Sequence, residues 1–379
     1  MTYTIIGGGI AGLTTAIALK QIGIDAQVYE AAPTIKPVGA GLVLAANAIK
    51  AYRKLGIAEK IIKRGKLLPL FSIFDERGRI ITSADAKEIG KKYDLHNFAI
   101  HRAELHEALL EELNPDQIIL GKRAIGFEHL KNNKIAVHFA DGSNHPTDIL
   151  IVADGIHSAV RQQLLPKSTI RYAGYTCWRA VIDNPGLPLH GASETWGKNG
   201  RFGIVPLAND KIYWFAVVNA PQNDPLSRAS KVENLQGIFN HFHEPIPDIL
   251  KHTHDDDFIW NDIIDLKPVQ RYAFGNIVLI GDAAHATTPN MGQGACQAIE
   301  DAVILADELA KHDQTANAFT AFERRRLDRT HFVVNTSWNL GKIAQWSHPV
   351  FITLRNALFR LIPERVHEKQ MKTLLEVDF

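Results

Sequence analysis

The chain opens on a short apolar run, Tyr3-Thr-Ile-Ile6, breaks into Gly7-Gly-Gly-Ile-Ala-Gly12, and continues as Leu13-Thr-Thr-Ala-Ile-Ala-Leu-Lys20. That order predicts strand, glycine turn and helix. Ala26-Gln-Val-Tyr-Glu30 predicts a second short strand ending on an acid. Helical periodicity runs over 47–64 and, opened by Arg102, over 102–113. Residues 70–82 read as strands about a turn at Asp75–Gly78, and 118–152 alternates like several strands with a turn at Asp141-Gly142. From about 170 to 270 aromatic and β-branched residues dominate, prolines punctuate, and helical spacing returns only near 230–242. This stretch predicts a mainly β unit. Asn276-Ile-Val-Leu-Ile-Gly281 then reads as a buried strand, followed by helices over about 293–310 and over most of 316–345 and 348–376. There is no internal repeat and no low-complexity segment.

Composition narrows the class. A chain of 379 residues with 46% hydrophobic and 22% charged residues has the material for two or three folded domains. Forty-two basic residues against 41 acidic ones give a net charge of +1, so no strong field favours nucleic acid. Two cysteines, Cys177 and Cys296, cannot build a disulfide framework and suit a reducing compartment. The first residues hold no basic, apolar and cleavable leader, and no apolar run approaches the roughly 20 residues of a bilayer span. A cytoplasmic location without integral membrane association is the expectation.

Three constellations carry chemistry. Gly7, Gly9 and Gly12, with Glu30 downstream, follow a strand and open a helix. Glycines there allow a tight turn and close approach of backbone to a pyrophosphate, while the acid can accept from a ribose diol. The second is Ile151-Val-Ala-Asp154-Gly155-Ile-His-Ser158-Ala-Val-Arg161. Taken alone it also reads as an ordinary strand-to-helix turn, with Ser158 as cap and Arg161 solvated. The third is Val278-Leu-Ile-Gly281-Asp282-Ala-Ala-His285, running through Pro289 and Gly292 to Gly294. Here an apolar strand delivers an acid, and a glycine-rich loop enters a helix whose start can stabilise negative charge.

Together the three resemble the class A flavoprotein monooxygenases, the FAD-dependent aromatic hydroxylase family. The resemblance includes Arg102 in Ile-His-Arg-Ala-Glu-Leu and covers nearly the whole chain in order. It implies an α/β fold: a Rossmann-like FAD-binding domain with an inserted, mainly β substrate domain and C-terminal helices. The FAD-binding domain would comprise 1–69, 100–167 and 271–340; the substrate domain, 70–99 and 168–270; the C-terminal helices, 341–379. It further implies that NADH or NADPH reduces FAD, that oxygen adds at the flavin C4a position, and that the hydroperoxide hydroxylates an aromatic or heteroaromatic small molecule. By the same resemblance Glu30 binds the adenosine ribose, Arg102 contacts FAD, Asp282 holds the ribityl or pyrophosphate part, and backbone at Pro289, Gly292 and Gly294 lies beside the ring. Asp154 and Arg161 are tied to the pyrophosphate and to NAD(P)H use.

For the substrate, Arg201–Leu207 and Lys211–Val218 read as a hairpin about Ala208-Asn-Asp210. If Leu207 pairs with Lys211, odd-numbered residues share one face, which carries Arg201, Tyr213 and Phe215. One cation among aromatic walls suits an anionic ring. The arrangement resembles bacterial urate hydroxylases, in which an Arg and a Tyr at this spacing contact substrate. Zeaxanthin epoxidase-like enzymes are similar in the flavin motifs, so an epoxidase, a tetracycline-type monooxygenase and a flavin-binding redox sensor are the competing expectations.

Other features read more plainly. His252-Thr-His254-Asp-Asp-Asp257 is a polar loop, and no metal is expected. His285 reads as a hydrogen-bonded structural histidine before a proton donor. Residues 348–366 set Val350, Phe351, Leu354, Leu358, Phe359 and Ile362 among Arg355, Arg360 and Arg365, a basic amphipathic pattern for a helix that caps its own domain or rests on a membrane. Substrate identity, NADH against NADPH, and oligomeric state stay open at this level.

Overall fold

The computed structural model describes residues 1–35, 39–85, 97–361, 374 and 377–379. One sheet has six strands in the order Ala273–Phe274, Ile277–Leu279, Ile149–Val152, Tyr3–Ile6, Ala26–Tyr29 and Ile118–Ile119. All neighbours run parallel except at the Ala273–Phe274 edge. Every residue of Ile149–Val152 and Ile277–Leu279 is buried, as befits central parallel strands covered on both faces. The Ile10–Gln21 helix is buried at every position from Ile10 to Leu19, because it lies against the Gly294–Lys311 helix as well as the strands. An all-round apolar helix with small residues is what that position selects.

A second sheet has seven strands in the order Phe258–Leu266, Ile170–Asp183, Lys211–Asn219, Arg201–Pro206, Ala192–Trp196, Leu70–Asp75 and Ile80–Asp85. Pairing is antiparallel except between Leu70–Asp75 and Ala192–Trp196. The hairpin register sets Arg201 opposite Val217 and Val205 opposite Tyr213, and the Leu207 N–H donates to the Lys211 carbonyl at 2.8 Å. Even-numbered residues, among them Trp178, Phe202, Ile204, Ile212 and Trp214, pack with Leu235, Phe239 and Ile249 of the helices Val232–Phe239 and Ile246–Lys251. The odd-numbered residues therefore look the other way. Arg179 lies directly opposite Phe215 on one side and Ile259 on the other, so this parity holds across four strands.

Two helical expectations resolve differently. The 47–64 pattern is two helices, Ala46–Lys54 and Ala58–Ile62, because Gly56 takes φ 69° just after the first. The C-terminal pattern gives Thr315–Ala344 and Pro349–Leu361, while Ile362, Arg365 and most of the remainder to 376 lie outside the described residues. In Pro349–Leu361 the amphipathic expectation inverts in part. Val350, Phe351, Leu354 and Leu358 are exposed, whereas Arg355 is fully buried, its guanidinium 5.0 Å from the Trp196 ring and 2.6 Å from the Ala344 carbonyl oxygen. Among the described residues no helix is long and apolar enough to cross a membrane.

Candidate active site

The glycines of the first turn divide into two tasks. A side chain on Gly7, which sits at φ 101°, would strike the Ala153 carbonyl, and one on Gly12 would strike the Gly7 carbonyl oxygen. Those two glycines let the strand, the turn and the helix pack on each other. Gly9 is the opposite case: nothing lies within 4 Å of where its Cβ would be, and it lines a cavity with Ile10 and Ala11 at the helix N-terminus. Glu30 buttresses the turn, one carboxylate oxygen accepting from the Gly8 N–H at 2.6 Å and the other from the Ala32 N–H at 2.7 Å. His106, which the sequence reading passed over, lies with Nε2 2.7 Å from the Gly8 carbonyl oxygen.

The cavity measures about 500 Å3 and runs from Gly9 past Arg102, Asp282, Pro289, Gly292 and Gly294 to Arg201 and Tyr213. Glu30 and Asp154 do not line it. Asp282 follows the Ile277–Leu279 strand and is open to the cleft although deep in the molecule; burial pushes its carboxyl up, and His285 and Arg102 draw it down. The turn before it is held from beneath. Asp301 accepts from the Gly281 N–H at 2.7 Å and lies 2.7 Å from His285 Nε2. Burial pushes the Asp301 carboxyl up, but His285 and Arg326 outweigh it and hold it below the usual range. Arg326 bonds Asp301 and Glu300 at 2.6 Å each, with all three side chains fully buried. His285 is thus committed to this network.

The Asp-Gly turn carries a correction. Ser158 caps the Ala159–Leu164 helix, accepting from the Arg161 N–H at 3.0 Å. Arg161 is not solvated: it is 2% exposed, and it donates to the carbonyls of Ile156 and Ala283 at 2.5 and 3.2 Å. It staples this turn to the loop after Gly281, because packing the two strand ends together leaves carbonyls that need a donor. Asp154 keeps one buried oxygen with no protein partner, and burial pushes its carboxyl up to about 6.

At the far end the odd-numbered face of the second sheet forms the wall, with Cys177, Arg179, Arg201, Val205, Tyr213 and Phe215 on it. Gly41 and Gly203 make room, since a Cβ on either would enter the rings of Tyr213 and Phe215 respectively. The Arg201 guanidinium is heavily engaged. It donates to Glu194 at 2.9 Å, to the Asn290 side-chain oxygen at 3.0 Å and to the Gln345 side-chain oxygen at 2.9 Å, with the Tyr175 ring 5.5 Å away. Glu194, Asn290 and Arg179 were not foreseen. Their approach depends on strand order, which no local pattern records.

The family sequence model described as FAD binding domain matches residues 1–337. The chain belongs to that FAD-binding family. It is a class A flavoprotein monooxygenase, an enzyme that uses FAD and NAD(P)H. It is 36% identical to the aurachin C monooxygenase/isomerase of Stigmatella aurantiaca, covering 99% of this chain and 98% of that protein. It is 33% identical to the 2-heptyl-3-hydroxy-4(1H)-quinolone synthase of Pseudomonas aeruginosa, covering 97% of each. The Klebsiella pneumoniae enzyme HpxO, solved with FAD and uric acid, superposes with a TM-score of 0.91 at 29% identity, over 99% of this chain and 97% of that one.

The residues of the monooxygenase fit that cofactor. The open side of Gly9 at the helix N-terminus suits a phosphate, and the Glu30 carboxylate beside the same turn can accept from a ribose hydroxyl, as a dinucleotide requires. When bound, FAD supplies electron transfer from NAD(P)H and activation of O2. The protein supplies orientation and a partly apolar wall beside the place where a substrate ring would sit.

Proposed function

We propose that this monooxygenase hydroxylates a bicyclic nitrogen heteroaromatic of the 4-quinolone class, carrying an apolar side chain, at the carbon beside its ring carbonyl. The observation that carries this reading is the cavity wall. Val205, Phe215, Val217 and Ile259 make it apolar, while Arg179 and Tyr213 add polar ends on the same face. Such a wall suits a flat ring with one polar edge and a hydrocarbon substituent. End-to-end similarity to a protein named for making 2-heptyl-3-hydroxy-4(1H)-quinolone supports the same choice.

In this reading Gly7, Gly9 and Gly12 shape the pyrophosphate turn, Glu30 takes the adenosine ribose, Arg102 and Asp282 on the cavity wall contact the remaining polar parts of FAD, and Asp154 supports the neighbouring turn from behind the cavity. Backbone at Pro289, Gly292 and Gly294 faces the ring, Tyr213 faces the substrate, and Arg201 stands at the edge of the same wall, engaged by Glu194, Asn290 and Gln345. The enzyme works in the cytoplasm, where NAD(P)H is available and the free, buried Cys177 and Cys296 stay reduced.

The test is NADH and NADPH oxidation in air by the FAD-loaded protein, with 2-heptyl-4(1H)-quinolone, urate, salicylate, a tetracycline and an isoprenoid, recording peroxide throughout. Strong stimulation by the quinolone with little peroxide is the expected result. A purine substrate is the second reading, favoured by the fit to HpxO, and stimulation by urate alone would select it. The epoxidase reading wants an apolar tunnel, against the position of Arg179, and stimulation by the tetracycline alone would select the tetracycline-type reading.

A further inference from the structure

The cavity wall carries two arginines, and their surroundings differ. Arg201 is 3% exposed and spends its guanidinium on Glu194, Asn290 and Gln345. Arg179 lies two strands away on the same face, with Phe215 and Ile259 directly opposite it. It is half-buried. Its Nε reaches the Cys177 sulfur at 3.4 Å, and among the described residues no carboxylate comes within ion-pair distance and no acceptor meets its two terminal nitrogens. Its two terminal nitrogens are not sealed from solvent, and between Phe215, Ile259 and Val217 they offer four N–H groups that no described residue engages to whatever occupies the cavity.

Tyr213 stands diagonally across from Arg179 on the neighbouring strand, since its own partner is Val181. The Tyr213 phenol, like any phenol, is protonated at neutral pH, burial pushes its pKa further up, and no described residue accepts from its hydroxyl. Two donors without protein acceptors therefore face the part of the wall that Val205, Phe215, Val217 and Ile259 make apolar, away from the satisfied Arg201 cluster. That arrangement matches a single strong acceptor: a ring carbonyl oxygen, which carries partial negative charge. Accepting there draws electron density onto the oxygen and keeps the ring in its oxo form, with the apolar substituent against Val205 and Val217.

We propose that Arg179 is the specificity-determining residue of this enzyme: it recognises the ring oxygen of the substrate, while Arg201 clasps the sheet to the flavin domain. The assignment rests on the quinolone reading above. Loss of one charge-assisted contact corresponds to roughly 10- to 100-fold in affinity.

The experiment is a double cycle between residue and ligand. Binding of 2-heptyl-4(1H)-quinolone and of 2-heptylquinoline, which lacks the ring oxygen, is measured calorimetrically on FAD-loaded wild type, Arg179→Gln and Arg179→Lys. The expected result is that Arg179→Gln loses about 10- to 100-fold for the quinolone and almost nothing for the deoxy analogue. Arg179→Lys should keep part of the preference, with FAD content and melting temperature unchanged in both variants. Equal losses for both ligands would mean that Arg179 only shapes the pocket, and no loss for either would remove it from recognition. If wild type binds the deoxy analogue as tightly as the quinolone, or binds neither, the quinolone reading fails and this assignment falls with it.

Discussion

The guanidinium of Arg201 and the carboxylate of Glu194 meet at 2.9 Å across neighbouring strands, 3% and 9% exposed respectively. A second buried arginine depends on the same acid. Burial and the nearby Arg201 pull the Arg355 pKa down to about 10, and Glu194 opposes them. Taking Glu194 away leaves two guanidiniums uncompensated in the interior. Glu194→Leu is expected to cost about 3–5 kcal/mol of unfolding free energy, with part of it recovered in Glu194→Leu/Arg201→Met. Urea unfolding of the three proteins checks this; a double variant less stable than the single would reject the pair as the cause.

Arg201 also joins three parts of the chain, through Glu194, Asn290 and Gln345. Arg201→Ala should leave FAD bound, yet loosen the wall that excludes water. The expected kinetics are a substrate KM raised about tenfold and a larger share of NAD(P)H electrons recovered as peroxide. An unchanged peroxide ratio and an unchanged KM would limit Arg201 to a role in stability.

The two kinds of glycine in the first turn make separable predictions. Gly9→Ala should fold normally, because its added methyl meets no protein atom and its φ of −79° suits alanine. The methyl instead enters the space in front of the helix N-terminus, so FAD affinity should fall at least about tenfold. Gly12→Ala should fail to fold stably, since its methyl has only the Gly7 carbonyl to displace. Apoprotein melting temperature and flavin content, read together, tell the two apart. A Gly9→Ala protein with full FAD affinity would place the phosphates elsewhere.

Asp154 makes stability depend on pH in the apoprotein. Its carboxyl is held up at about 6, against an ordinary value of 3.8. Between those values the folded protein binds more protons than the unfolded chain, so stability falls as pH rises from about 4 to about 6 and is level above. Asp154→Asn removes that slope. The variant should be the more stable apoprotein by up to about 3 kcal/mol at pH 7 to 8, with the gap gone below about pH 4. Wild-type and variant melting curves across this range measure the difference, and a gap that does not change with pH would contradict it.

Much of this molecule is legible locally. Tyr3–Ile6 followed by glycines, and Ile149–Val152 and Ile277–Leu279 each delivering an acid or a glycine turn, mark the central strands because parallel strands buried on both faces leave uninterrupted apolar runs. The hairpin register was equally open to inspection, since a three-residue link between Leu207 and Lys211 sets the parity of both strands. The outward turn of Val350 and Leu354 was not, because an amphipathic pattern says which residues share a side and is silent on what covers it.

The amino-acid sequence by itself determined the flavin-binding family, the order of its three motifs and which side chains of the hairpin share a face. These depend on short-range spacing and on backbone conformations that only glycine permits. Tertiary structure alone decided that Arg201 is clasped by Glu194 while Arg179 is left facing the cavity, and that Arg161 turns inward to Ala283. The physical reason is that the fate of a charge depends on which partners lie within about 4 Å of it, and those partners come from strands and loops far apart in the chain.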